Sequence, residues 1–235
     1  MLGYIVSLVI LILFYILVLF LMPKFKNIAL TNLLFCLIPF VLYVIVVIIV
    51  YSSVGFDDWN FHNVLPTANV SPFMFFIMPL CLILPKKLRQ YLYTLVALLF
   101  VGMFVSPCVN SIYFASISYK FHFHFLLDYV AHFMLSLWGI YLVRTNQVNL
   151  SRKNCIVGGL IIVIVALIML LLNVIFDTAF FGLSLNGKHN IYNQVLVSNS
   201  YLSAIIYFVG LLGVLIIGYL LQCIISRKYL INRSN

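Results

Sequence analysis

The sequence predicts an all-α polytopic membrane protein of seven transmembrane helices, N-terminus outside and C-terminus cytoplasmic, and three observations carry that prediction. The first is composition: 66% of the 235 residues are hydrophobic and only 7% are charged, at a mean hydropathy of +1.22. Soluble domains do not show that balance. The second is segmentation into seven apolar runs, 2–22, 29–52, 70–85, 91–107, 122–143, 155–176 and 201–226. Most reach the roughly 20 residues that cross about 30 Å of hydrocarbon, while the third and fourth are short and rely on their flanks. Only helices satisfy the backbone internally in lipid at these lengths.

The third observation is where the charges fall. Lys24 and Lys26 follow run one, Lys86, Lys87 and Arg89 follow run three, Arg144, Arg152 and Lys153 follow run five, and Arg227, Lys228 and Arg233 follow run seven. Eleven of the thirteen basic residues therefore share one side. Lys120 and Lys188 fall on the other, and the four acids, Asp57, Asp58, Asp128 and Asp177, lie at or near that other side. Cytoplasmic loops are the ones enriched in Lys and Arg, so the alternation sets the orientation and requires an odd number of crossings. The expected location is the cell membrane, multi-pass, and the usage of Ile, Leu, Asn and Phe suggests a bacterial cytoplasmic membrane. The net charge of +9 is thus a topology signal, and without a clustered basic domain it predicts no nucleic-acid partner.

Taken in order, the runs form one domain, 1–235. Run one has no polar face, basic n-region or small-residue cleavage site, and is expected to be a retained, peripheral helix. Run two carries Pro39 in its interior, where a missing N–H favours a kink. The loop after it, around Trp59, suits a headgroup zone; Asp57, Asp58 and His62 there are expected to be solvated. Leu65-Pro66-Thr67-Ala68-Asn69 leads into run three, which Pro72, Pro79 and Pro85 make irregular. Run four offers only Ser106-Pro107, at its outer end. Run six ends in Asn173-Val-Ile-Phe-Asp177-Thr178, where Asn173 and Asp177 share a helical face. Run seven contains Gly210, Gly213 and Gly218, which permit close helix contact. Cys36, Cys81, Cys108, Cys155 and Cys223 are scattered without CxxC spacing and read as packing residues.

Run five holds the unusual stretch, Lys120-Phe-His-Phe-His-Phe-Leu-Leu-Asp-Tyr-Val-Ala-His132. His124, Asp128 and His132 recur every four residues, so they stack along one helix face. Ionisable groups at membrane depth are expensive unless paired or facing a wet cavity, which marks this face as a functional site pointing into the bundle. His132 lies ten residues beyond His122, hence about 15 Å deeper at 1.5 Å per residue. Three ligands at i, i+4 and i+8 spread over about 12 Å of one helix and do not converge on one ion, so no metal is expected there. No cofactor motif is present.

With Thr67, Asn69, Asn173 and Asp177, the histidines predict a cavity open to the outer side. His132 is expected to be the general base, Asp128 the acid that orients it, and Thr67 the nucleophile. His122, His124, Asn69, Asn173 and Asp177 are the expected substrate-binding residues. The inner halves of the runs look dry, which counts against a transport path.

Three places along the chain resemble the YwaF family of bacterial integral membrane proteins, relatives of the eukaryotic acyltransferase transmembrane protein 164. Leu65-Pro66-Thr67-Ala68-Asn69-Val70-Ser71 is similar to that family's Leu-Pro-x-His-x-Cys-Ser stretch before the third span. Phe121-His122-Phe123 with His132 resembles its His-Phe and buried His in the fifth. The residues 173–181 resemble its Asn-x5-Asn-Tyr in the sixth. Ala68 and Val70 stand where the bacterial pattern has His and Cys, Ala179-Phe180 where it has Asn-Tyr, and Thr67 where the eukaryotic nucleophile is Cys. A Thr–His pair is similar to that of the androgen-induced type of membrane lipid hydrolase. The resemblance implies an outward-facing enzyme acting on an acyl-lipid ester, acyltransferase or hydrolase, with a membrane lipid as partner. Two further readings stand beside it: a non-catalytic protein binding a lipid, small ligand or partner subunit, and a transporter in which Asp128 and His132 relay protons.

Overall fold

The computed structural model describes residues 2–54, 69–116, 122–176, 180–183 and 200–231, and every regular element among them is helical. Helix α1 is Leu2–Leu21, closed by a 3-10 turn at Met22–Lys24. Helix α2 is Ile28–Val54 and keeps Pro39 inside it. Helix α3 is Val70–Ile77 and tightens into a 3-10 stretch at Met78–Leu82. Helices α4, Lys86–Ser116, α5, Phe123–Arg144, α6, Arg152–Phe176, and α7, Ser200–Ile231, complete the bundle. A short 3-10 turn, Phe180–Gly182, follows α6.

Each expected run therefore has its helix, with two corrections to length. Run four is not short: α4 has 31 residues and passes straight through Pro107. In an apolar medium one missing N–H costs less than the four orphaned carbonyls of a helix end, so the helix continues. Run three is shorter than expected. Eight α-helical and five 3-10 residues reach roughly 22 Å, against a hydrocarbon thickness of about 30 Å. Six described helices are long and apolar enough to cross a membrane, and the Val70–Leu82 stretch is a shorter apolar one. The chain is a helical, multi-pass membrane protein.

Side-chain pairs fix the direction of each helix. Along α5, Phe125 meets Phe114 and Phe133 meets Phe104, so α4 and α5 are antiparallel. Val46 and Val50 pack on Leu127, and Phe35 on Tyr141, so α2 is antiparallel to α5 as well. Helices α2 and α4 thus run the same way, and the chain must return between them. Short α3 makes that return against α2, with Phe75 beside Tyr43, Phe76 beside Phe40 and Met78 beside Cys36. Tyr4 meets Phe125 while Arg144 meets Leu19, so α1 parallels α5. Val214 faces Gly102 while Gln222 bonds Ala97, so α7 does too. The two ends of the described chain, Leu2 and Ile231, accordingly lie at opposite ends of the bundle. Lys24, Lys86, Arg144 and Arg152 share one of those ends, the basic end.

Helices α4 and α5 are the centre: 61% and 72% of their apolar stretches are buried, against 17–33% in the other four long helices. Every residue from Leu92 to Phe100 of α4 is buried. Three glycines on three helices permit this. A Cβ at Gly139 of α5 would lie 2.9 Å from the Val96 carbonyl oxygen, one at Gly158 of α6 would lie 3.2 Å from that of Tyr91, and one at Gly218 of α7 would overlap that of Leu98. Backbones approach this closely only where a side chain is missing. Of the three glycines expected to mediate α7 contacts only Gly218 does so, since Gly210 and Gly213 face open space.

The basic half is not dry, contrary to expectation. Trp138 Nε1 donates to Asn32 Oδ1 at 3.0 Å, Asn32 Nδ2 donates to Gln147, and Gln147 Nε2 donates to Thr145 at 2.6 Å. Tyr15 donates to Ser136, which donates to the Phe100 carbonyl. Arg144 reaches the Leu19 carbonyl at the end of α1 at 3.2 Å, where a cation complements the helix dipole. Apart from Arg144, these side chains bond one another or backbone carbonyls, which locks the packing. Helix α1 is peripheral, as expected, yet Tyr15 ties it to the centre.

Candidate functional site

The site grows from one helix face. Helix α5 starts at Phe123 with exposed His122 at the capping position in extended backbone, φ −116° and ψ 145°. His122 and half-buried His124 stack ring on ring, with centroids 5.5 Å apart, and His124 leans on Phe125 at 4.4 Å. These two histidines sit at the start of α5, at the end opposite the basic one. His124 lies eight residues, about 12 Å of helix, before His132.

Two turns deeper the expected Asp–His pair is present. Nδ1 of His132 lies 2.8 Å from the Asp128 backbone carbonyl and 3.2 Å from its carboxylate Oδ1. Both neighbours are acceptors, so Nδ1 carries a proton, and Nε2 is the ring nitrogen turned away from Asp128. The His132 side chain is only 6% exposed and that of Asp128 19%. The carboxylate keeps some access to solvent while its imidazole partner is sealed, and the Asp128 acceptors fix which ring nitrogen is engaged. That is the geometry of an oriented base.

Aromatic rings from two other helices close the imidazole in. Phe75 of α3 meets the His132 ring edge-on at 5.0 Å and 82°, and Tyr43 of α2 backs Phe75 at 4.6 Å. Asn69 opens α3 in extended backbone, and its side chain makes no capping bond. Nothing in the sequence singled out Tyr43 or Phe75. Both sit in uniformly apolar runs, and only helix rotation reveals that they face Asp128 and His132.

Asn173 binds backbone with both ends of its amide. Its Nδ2 donates to the Phe180 and Leu183 carbonyls at 2.9 and 3.0 Å, and its Oδ1 accepts from the Phe180 N–H at 2.6 Å. The amide thereby folds the Phe180–Gly182 turn back onto α6. Phe181 adopts the left-handed conformation, φ 55° and ψ 19°, which costs a non-glycine residue roughly 1–2 kcal/mol. Its buried ring packs against Phe73 of α3 at 5.8 Å. Asn173 thus holds the strap that presses on α3, two residues from Phe75.

The structure brings together Asp128 and His132, sets His122 and His124 at the start of the same helix, and ties Asn173 to the strap. Thr67 and Asp177 lie outside the described residues, as do Lys120, Asp57, Asp58, His62, Thr178 and His189. Among the described residues no three His, Cys, Asp or Glu side chains gather as a metal site. All five cysteines are free thiols; Cys36 donates to the Met78 carbonyl, a packing role that ties α3 to α2. No protein-family model, no curated protein and no solved structure matches the chain.

Proposed function

We propose that the chain is a membrane enzyme that cleaves or transfers the acyl group of a lipid ester, with His132 as general base. The observation that carries this reading is the double hold on His132 Nδ1 by the backbone and carboxylate of one residue, Asp128. It leaves Nε2 as the nitrogen for proton transfer. Thr67 is the nucleophile: in the sequence it stands two residues before Asn69, ahead of the helix whose Phe75 touches His132. Nε2 takes the Thr67 hydroxyl proton as the oxygen attacks the ester carbonyl. The same nitrogen then returns the proton to the departing alcohol, and water or a second lipid hydroxyl accepts the acyl group. The resemblance to the YwaF family and its acyltransferase relatives supports the same chemistry.

The His-rich end faces outside and the basic end the cytoplasm, by the positive-inside rule. The return of the chain through α3 supports seven crossings and a lipid substrate drawn from the outer leaflet. His122, His124 and Asn69 then lie at headgroup level to receive it. Mass spectrometry of lipids incubated with purified wild type, His132→Ala and Thr67→Ala tests the reading. Acyl release or transfer by wild type, lost in both folded variants, is the expected result; absence of turnover in wild type overturns it.

One observation favours a second reading, a non-catalytic lipid-binding protein. The Asp–His pair lies within a single turn of one helix and is capped by a phenyl ring, an arrangement that also serves purely to lock α5 against α3. Saturable lipid binding without turnover would select it. The closed polar network at the basic end argues against the transporter.

A further inference from the structure

Tyr43 of α2 packs beside this site through Phe75. It is buried, with 3% exposure, its ring packs at a tilt on the Phe75 that covers His132, and, like Tyr129, it lies within electrostatic reach of the Asp128 carboxylate. Among the described residues its hydroxyl has no hydrogen-bond partner. A buried tyrosine ordinarily finds one, so an unused donor beside a titratable pair points to a ligand acceptor. Tyr129 is the rival candidate, but it follows Asp128 by one residue and so points about 100° round α5. Its hydroxyl is turned toward Ser111 of α4, and neither oxygen makes a hydrogen bond among the described residues. The Tyr129–Ser111 pair therefore lies on the α4 side, about 60° round the helix from His132.

We propose that Tyr43 donates its hydroxyl hydrogen to the ester carbonyl oxygen of the bound lipid, making it the group by which the site recognises an acyl ester. The inference rests on the acyl-ester reading of the site and extends it to substrate selection. A neutral phenol is suited to that role because it offers one donor to a carbonyl, strengthens as negative charge develops on that oxygen, and carries no charge of its own into the membrane. An ether lipid of the same shape has no carbonyl and gains nothing from the phenol.

Binding of matched diacyl-ester and dialkyl-ether phospholipids to the purified full chain, followed by fluorescence, tests this without requiring turnover. Wild type is expected to prefer the ester by about tenfold, and Tyr43→Phe to lose that preference by weakening ester binding alone. Where turnover is present, the same variant is expected to lower kcat with little change in KM. Equal binding of ester and ether by wild type, or an equal loss of both in Tyr43→Phe, overturns the proposal. Loss of turnover in His132→Ala with the ester preference intact separates the two claims: binding through Tyr43 then stands whatever the chemistry. A preference without any turnover retires the enzyme reading and leaves Tyr43 as a recognition group.

Discussion

His132 and Asp128 could be paired from the sequence because four-residue spacing is enough to place two side chains on one helix face. Which His132 nitrogen is engaged was not legible, since that depends on the local rotamers and on the Asp128 carbonyl accepting beside its carboxylate. If the pair orients a base, Asp128→Asn is expected to lower turnover by on the order of 10²-fold or more while the thermal midpoint stays within a few degrees. A midpoint that falls in step with activity would mark the pair as packing only. Asn32→Leu makes the opposite expectation. It leaves the Trp138 indole N–H and Gln147 without their partner and is expected to cost about 1–3 kcal/mol of stability in a detergent melt, with turnover per folded molecule unchanged.

At the scale of elements, the existence of all seven helices was legible and their burial was not. A lipid-facing Leu and a core Leu are equally apolar, so hydropathy gives no sign that α4 and α5 are central and α1, α6 and α7 peripheral. The same blindness hid which glycine of α7 matters. Gly218→Ala drives a methyl into the Leu98 carbonyl, whereas Gly210→Ala meets nothing within 4 Å; the first is expected to destabilise the bundle sharply and the second to leave the melt unchanged. Equal melts for the two would show that α7 is rotated differently. The end of α5 offers a finer contrast. Asn146, at φ 55°, follows the last turn, with its N–H on the Val143 carbonyl and the Gln147 N–H on that of Leu142. Such left-handed helix ends prefer glycine and accept asparagine, so Asn146→Ala is expected to cost about 1 kcal/mol and Asn146→Gly to cost nothing, by the same melt.

For the whole molecule, the chain's up-and-down course follows from contacts among α1, α2, α4, α5 and α7, and short α3 supplies the return that run three predicted from sequence. Seven crossings place the termini on opposite sides of the membrane, and six would place them together. Tags at the two ends are therefore expected to be reached from opposite sides, the N-terminal one from outside. Accessibility of both from one side would mean that α3 dips in and out. The site's depth also belongs to this scale: the histidines could be ranked along α5 from spacing, but the strap from Asn173 through Phe181 to Phe73, which sets α3 over His132, joins three segments that no local pattern links.

Thr67 and His132, as nucleophile and base, stand at the centre of the proposed chemistry. Incubating the protein with a long-chain alkyl fluorophosphonate and mapping the adduct by peptide mass spectrometry tests that pairing most directly, since fluoride departs only when an activated oxygen attacks phosphorus. A single phosphonyl adduct on Thr67, present in wild type and absent from folded His132→Ala, is the result expected. An unlabelled Thr67, or an adduct that survives loss of His132, would contradict the pair.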